Sequence, residues 1–190
     1  MERGALRCIE LADADGIYIH LNALQELLQP DGDADWRGVS AAIQEFVTES
    51  PVPVFVKEVG HGISASSAAI LVELGVSWID VAGAGGTSWS QIEHIRGGRE
   101  GVSAFANWGV TTKEAIESIR DKGLPCMLVG SGGLRSGLDA AKVVRIGADI
   151  AAAAQPFLEP ARTSVQQTIK VIESWEKDFK ITMFSTGSKN

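Results

Sequence analysis

The stretch Gly130-Ser131-Gly132-Gly133-Leu134-Arg135-Ser136-Gly137 follows the apolar run 125–129 and opens a helical pattern from Leu138 onward. A strand that ends in glycines and feeds a helix start presents backbone N–H groups at the positive end of a helix dipole, where a phosphate can sit. About a dozen residues later a second strand-like run, 148–154, ends at Gln155-Pro156-Phe157-Leu158. Two adjacent strand-to-helix loops can grip one phosphate, as those after the last two strands of a (β/α)8 barrel often do. That phosphate would belong to a cofactor or a substrate.

Three further strand ends carry side chains that bind or transfer protons. They are His20-Leu21-Asn22-Ala23-Leu24-Gln25-Glu26, Lys57-Glu58-Val59-Gly60-His61-Gly62 and Asp80-Val81-Ala82-Gly83-Ala84-Gly85-Gly86-Thr87-Ser88-Trp89. Polar loops over one rim of a sheet read most economically as a single shared site.

The elements that must hold these loops alternate. Apolar or β-branched runs at 16–21, 52–57, 77–82, 124–129 and 148–153 predict strands, and the periodic stretches 35–48, 64–74, 112–122, 138–146 and 163–177 predict helices. Continuous apolar runs that give way to a period of 3.6 mark βα units around a parallel sheet buried on both faces. Thr111-Thr112-Lys113-Glu114 offers a capping residue followed by a glutamate, and Gly75, Gly123 and Gly147 each sit just past a predicted helix, where a left-handed residue closes it. The fold class is α/β. A closed barrel needs eight strands and about 250 residues, whereas five units are legible here. The sequence therefore predicts either an open doubly wound sheet or a partial barrel, in both of which ligands bind at strand C-termini.

Composition excludes several classes. The 190 residues, 45% hydrophobic and 22% charged, suit one globular domain spanning the chain. A net charge of −7 disfavours a nucleic-acid partner, which draws on clustered Lys and Arg. No run approaches the roughly 18 apolar residues of a membrane span, and Met1-Glu2-Arg3-Gly4 lacks a signal-peptide core, so a cytoplasmic protein is expected. Cys8 and Cys126 form neither a CxxC nor a zinc spacing and are expected to be reduced core residues.

Four linked motifs closely resemble one family in order and spacing. His20-x-Asn22-x-x-Gln25-Glu26, Val56-Lys57-Glu58-x-Gly60-x-Gly62-x-Ser64, Asp80-Val81-Ala82-Gly83-Ala84-Gly85-Gly86-Thr87-Ser88-Trp89 and Ser131-Gly132-Gly133-x-Arg135-x-Gly137-x-Asp139-x-x-Lys142 are similar to type 2 isopentenyl-diphosphate isomerase. The likeness runs from about Gly16 to Leu158, and Met183-Phe184-x-Thr186-Gly187 is similar to that family's C-terminal segment. Any one glycine motif would be weak, because FMN enzymes of the lactate-oxidase and IMP-dehydrogenase type share the phosphate grip.

The resemblance implies an FMN-containing (β/α)8 TIM barrel that converts isopentenyl diphosphate to dimethylallyl diphosphate in isoprenoid biosynthesis. It uses reduced flavin, NADPH as the flavin's reductant and Mg2+, with no net redox change. The five units would be strands four to eight, and the chain is expected to be a fragment truncated at both ends. By the same resemblance Lys57 meets the flavin near N1 and C2=O, where a cation stabilises the charge of the reduced ring, and Ala82 and Thr87 contact it as well. Gly132, Gly133, Leu134 and Arg135 with Ala154 and Gln155 match the FMN-phosphate loops. Gln25 matches a substrate-contacting glutamine, His20 and Asn22 match polar residues near the allylic diphosphate, and Glu26 matches the Mg2+ ligand. His20 and Asn22, two apart, are expected on one strand face, and Gln25 and Glu26 in an irregular loop. Trp89 could wall the isoprenoid tail. His61 and His94 receive no role.

The chain departs from the family at Asn107-Trp108-Gly109-Val110-Thr111-Thr112, where a proline is usual, and at Ala151-Ala152-Ala153-Ala154, where a glycine is usual. Two rival classes remain. Another FMN-dependent oxidoreductase of the α-hydroxy-acid type would show a histidine in the late loops, and none lies between Ile95 and Asn190. An inactive barrel fragment is the other, because an unclosed barrel exposes strand edges and an apolar face. For the chain alone this predicts poor activity and aggregation or homo-oligomerisation.

Overall fold

The computed structural model describes residues 2–188. Its elements run α1 (Glu2–Ala12), β1 (Ile17–His20), α2 (Ala23–Leu28), α3 (Val39–Glu49), β2 (Val54–Lys57), α4 (Ala65–Glu73), β3 (Trp78–Asp80), α5 (Trp89–Arg96), α6 (Thr112–Asp121), β4 (Met127–Ser131), α7 (Gly137–Arg145), β5 (Ile150–Ala152), α8 (Gln155–Thr163) and α9 (Val165–Thr186). All five predicted strands form, in one sheet of order β1-β2-β3-β4-β5, and every pairing is parallel.

That order decides between the two architectures. A doubly wound sheet reverses its strand order at a switch point. Here every crossover steps the same way, and with the right hand that such connections take this places the connecting helices on one face, as in a barrel wall. The sheet is a partial (β/α)8 barrel.

The register divides each strand between two faces. Val56, Ile79 and Leu128 are fully buried and pack in one core with Ile43 of α3, Leu71 of α4, Ile116 and Ile119 of α6 and Val143 of α7. The opposite face carries a row across neighbouring strands, Tyr18↔Phe55↔Trp78↔Met127. The Tyr18 and Phe55 rings stack at 4.8 Å and those of Phe55 and Trp78 lie 4.9 Å apart. Such in-register rows are the layers that fill the interior of a closed barrel. Tyr18 and Met127 remain 47% and 40% exposed.

Several helices differ from the sequence expectation. Residues 35–38, predicted as the first turn of a helix, are loop instead. Asp33 and Asp35 accept from the backbone N–H groups of Asp35 and Arg37, and such short-range bonds compete with helix formation. The helix then starts at Val39. The stretch predicted at 163–177 is split by Ser164, whose side chain caps α9 by accepting from Gln167 N–H, and α9 extends to Thr186. Helices α1, α2, α5 and α8 were not anticipated. The capping box at Thr111 and Glu114 forms as expected, and Gly75, Gly123 and Gly147 all adopt positive φ. Of the cysteines, Cys126 is buried, but Cys8 is exposed on α1 and is not a core residue.

The lower end of the sheet is tied by Arg120. Its guanidinium donates to the carbonyls of Gly147 and Cys126 at 2.6 and 2.8 Å and to the Asp149 carboxylate, which also accepts from Leu128 N–H at 2.7 Å. One side chain thus joins the starts of β4 and β5 to α6.

Candidate functional site

The C-terminal ends of the strands enclose a cleft of about 820 Å³. Its walls include His20, Gln25, Lys57, Ala82, Thr87, Gly132, Gly133, Leu134, Arg135, Ala154 and Gln155. All five strand ends thus contribute to one concavity, as the sequence led us to expect. Asn22 and Glu26 are not part of its lining.

The floor is set by strand register. His20, Lys57 and Asp80 are direct partners across β1, β2 and β3, one step beyond the aromatic row and on the same face. Lys57 donates from Nζ to the Glu58 carbonyl at 2.6 Å, and among the described residues it makes no ion pair with Glu58 or Asp80. Asp80 is 5% exposed and accepts at Oδ1 from the Ser131 hydroxyl at 2.5 Å and from Ala82 N–H at 3.2 Å. Burial pushes its carboxyl above the ordinary value, against the Ser131 hydroxyl, the Lys57 charge and the Ala82 amide. His20 is held below its ordinary value by partial burial and then by Lys57, opposed by Glu58 and Glu26.

The glycine loop at 130–137 is shaped by close backbone approach. Gly132 and Gly133 have φ of 103° and 78°, and a Cβ on Gly133 would fall 2.5 Å from the Gly85 carbonyl carbon and oxygen. Strain and clash together demand glycine there. The Thr112 hydroxyl bonds the carbonyls of Ser131 and Gly132 from behind, at 2.9 and 2.7 Å. Arg135 is exposed at the lip, and its own N–H is held by Asp139. After the neighbouring strand β5, Ala154 precedes α8 without a side-chain cap, and both loops line the one cleft.

The β1 loop differs from expectation. Strand β1 ends at His20, so Asn22 does not share a strand face with it but forms the N-cap position of α2. Gln25 and Glu26 are helical rather than irregular, and adjacent helical residues point about 100° apart. Gln25 therefore faces the cleft while Glu26 turns back one helical turn to Asn22, whose Nδ2 donates to it at 2.6 Å.

Glu93 of α5 is the residue the sequence reading missed. Its carboxylate is buried, accepts from Gln25 Nε2 at 3.1 Å and Gln29 Nε2 at 3.4 Å, and takes two bonds from Arg96 at 3.0 and 3.1 Å. The Ser88 cap and the spacing of Trp89, Ile92, Glu93 and Arg96 were the available signal for this helix. Asp80 and Ser131 lay inside quoted motifs without a role, and both line the cleft. The loop at His61 is built by Glu58, whose Oε2 accepts from the N–H groups of Val59, Gly60 and His61. Burial alone would raise the Glu58 carboxyl, but the His61 side chain and the His61 and Val59 amides hold it below the ordinary value.

A flavin phosphate fits this arrangement, because the turn at Gly132 and Gly133, packed too closely on Gly83 and Gly85 to carry a side chain, lines the cleft with backbone, and Lys57 lines the same cleft with a cation. A magnesium ion would have to take most of its ligands from a diphosphate and water. Among the described residues no three His, Cys, Asp or Glu side chains gather around one point, and Glu26 is engaged by Asn22 and by Asp33 N–H.

Comparisons with known proteins agree on the kind of fold. The pattern of the FMN-dependent dehydrogenase family matches residues 21–190. An isopentenyl-diphosphate delta-isomerase of Pseudescherichia vulneris is 44% identical over 190 residues, covering 98% of this chain and 55% of the relative. One from Oceanobacillus iheyensis is 42% identical over 188 residues, covering 97% and 54%. The chain spans about half the length of the curated relatives it matches. Among solved structures, a lactate oxidase of Pediococcus acidilactici superposes with a TM-score of 0.69 at 18% identity, over 97% of this chain and 53% of that one. That likeness shows the fold.

Proposed function

The chain belongs to the FMN-dependent dehydrogenase family, and from that membership we propose that its cleft binds FMN and carries the isomerisation of isopentenyl diphosphate to dimethylallyl diphosphate. That activity would be the flavin-dependent, type 2 form of the enzyme. The observation that carries it is the opening of Lys57, Thr87 and Gly133 onto one cleft. The names of the relatives support the isomerase over an oxidoreductase.

Held by Lys57, Thr87 and the glycine loop, a bound and reduced flavin would supply the acid–base chemistry for moving the proton between the two ends of the alkene. The chain's own residues prepare that transfer. The loops at 132–135 and 153–156 anchor the phosphate end, the first through backbone held open by Thr112. Lys57 sets positive charge on the wall of the cleft, where it would stabilise a ring that becomes anionic on reduction. Gln25 donates its amide N–H to Glu93. Its carbonyl oxygen is not engaged by Glu93 and, in a side chain that lines the cleft, would be the acceptor able to orient an alkene or relay a proton but not to act as a strong base. His20, kept neutral at pH 7 by partial burial and Lys57, offers one donor and one acceptor. Val59 and Trp89 supply apolar wall beside a prenyl chain, which helps exclude water.

NADPH as reductant, Mg2+ as counter-ion of the diphosphate, a place in isoprenoid biosynthesis and a cytoplasmic setting belong to the same reading. No helix among the described residues is long and apolar enough to cross a membrane. The exposed Tyr18 and Met127 at the edges of the aromatic row support self-association.

Titration of FMN into the purified chain tests the proposal. A yellow complex that, after bleaching by dithionite, converts isopentenyl diphosphate is the expected result. A chain that takes up no flavin overturns it.

A further inference from the structure

The hydrogen bonds to Asp80 do not require a carboxylate. Ser131 Oγ–H and Ala82 N–H both donate to Oδ1, and a neutral amide of the same shape would accept both. Among the described residues it has no ion-pair partner within 4.0 Å, although it is almost wholly buried. A buried charge without a pair is costly, and it projects its field strongly because little water screens it. Lys57 is its register partner on β2, lines the same cleft, and directs its ammonium to the Glu58 carbonyl instead.

We propose that Asp80 is a positioning residue for charge: its carboxylate, in register beside Lys57, offsets part of the ammonium's field and so sets how strongly the floor of the cleft favours an anionic reduced ring over an oxidised one. This rests on the reading of the cleft as an FMN site. Removing the carboxylate leaves Lys57 uncompensated, so a ring that gains negative charge on reduction is held more tightly in that form. His20, the other register partner of Lys57, bears no compensating negative charge.

The test is the midpoint potential of FMN bound to the chain, read by dithionite titration against a reference dye. Asp80→Asn is expected to favour the reduced form by about tenfold, an upward shift of about 30 mV for a two-electron couple. Asp80→Ser, whose hydroxyl can still meet the Ala82 amide, shifts it the same way, and Lys57→Gln shifts it down. A folded, yellow Asp80→Asn protein with an unchanged or lowered potential overturns the inference and leaves the FMN reading standing. Loss of flavin binding in both neutral variants, with the unaltered chain still binding, also overturns it, since Asp80 would then serve the fold. An unaltered chain that binds no FMN overturns the reading of the site and the inference with it.

Discussion

The Gln25 amide on α2 is fixed by the buried Glu93 carboxylate on α5, 3.1 Å from Nε2. A carboxylate accepts only, so it dictates which end of the amide is turned toward it. Because Arg96 bonds both carboxylate oxygens, the orientation is backed by an ion pair whose carboxylate side is almost fully buried.

Glu93→Gln removes that dictation while keeping the shape. Either end of the new amide can face Gln25, which then presents oxygen or nitrogen to the cleft. Turnover of the FMN-loaded chain is expected to fall by about tenfold to a hundredfold, the scale of a small misplacement of a reacting group. FMN affinity, measured by fluorescence quenching, should stay within about twofold, since Gln25 is remote from the phosphate loops in sequence and sits on the opposite side of the strand order.

Gly133→Ala should have the reverse profile. The added Cβ would overlap the Gly85 carbonyl at 2.5 Å, and alanine is strained at a φ of 78°. FMN affinity is expected to drop at least tenfold, about 1.4 kcal/mol, as read by flavin titration. Normal affinity would show that the loop does not cradle the phosphate.

Acid stability should depend on Glu58 and Asp80 with opposite signs. The folded Glu58 carboxyl is held below its ordinary value of 4.5, so its contribution is complete above that value and is lost as pH falls through the lower folded value. The folded Asp80 carboxyl lies above its ordinary value of 3.8, so the folded state binds that proton more tightly and stability falls as pH rises from 3.8 through the folded value. Glu58→Gln is therefore expected to flatten the acid loss of melting temperature, and Asp80→Asn to steepen it. Melting curves between about pH 3 and pH 7 check both.

Arg120→Ala should lower stability without touching the site. It removes bonds to the Gly147 and Cys126 carbonyls and leaves Asp149 without its cation. A loss of about 2–3 kcal/mol follows from charged hydrogen bonds of this kind, or roughly 4–12 °C in Tm. Flavin affinity of the folded fraction should be unchanged.

Much of this molecule is legible one residue at a time. The five strands, the α/β alternation and the glycine loop follow from apolar runs, helical periods and caps, all set by neighbours in the chain. The residues of the cleft were readable for the same reason, since polar side chains at the C-terminal ends of parallel strands share one rim whatever the closure. The short helices α2 and α5 were not legible. Neither carries a long apolar stripe, and contacts between Gln25, Gln29 and Glu93, over sixty residues apart, hold them against each other. The tertiary structure alone decided that the strand order is sequential, that Asn22 and Glu26 pair with each other outside the cleft, and that His20, Lys57 and Asp80 form one row. Strand order and register arise from pairing between distant segments. A shift of one residue would turn Lys57 or Asp80 to the other face, and no local pattern in the chain encodes which partner each strand meets.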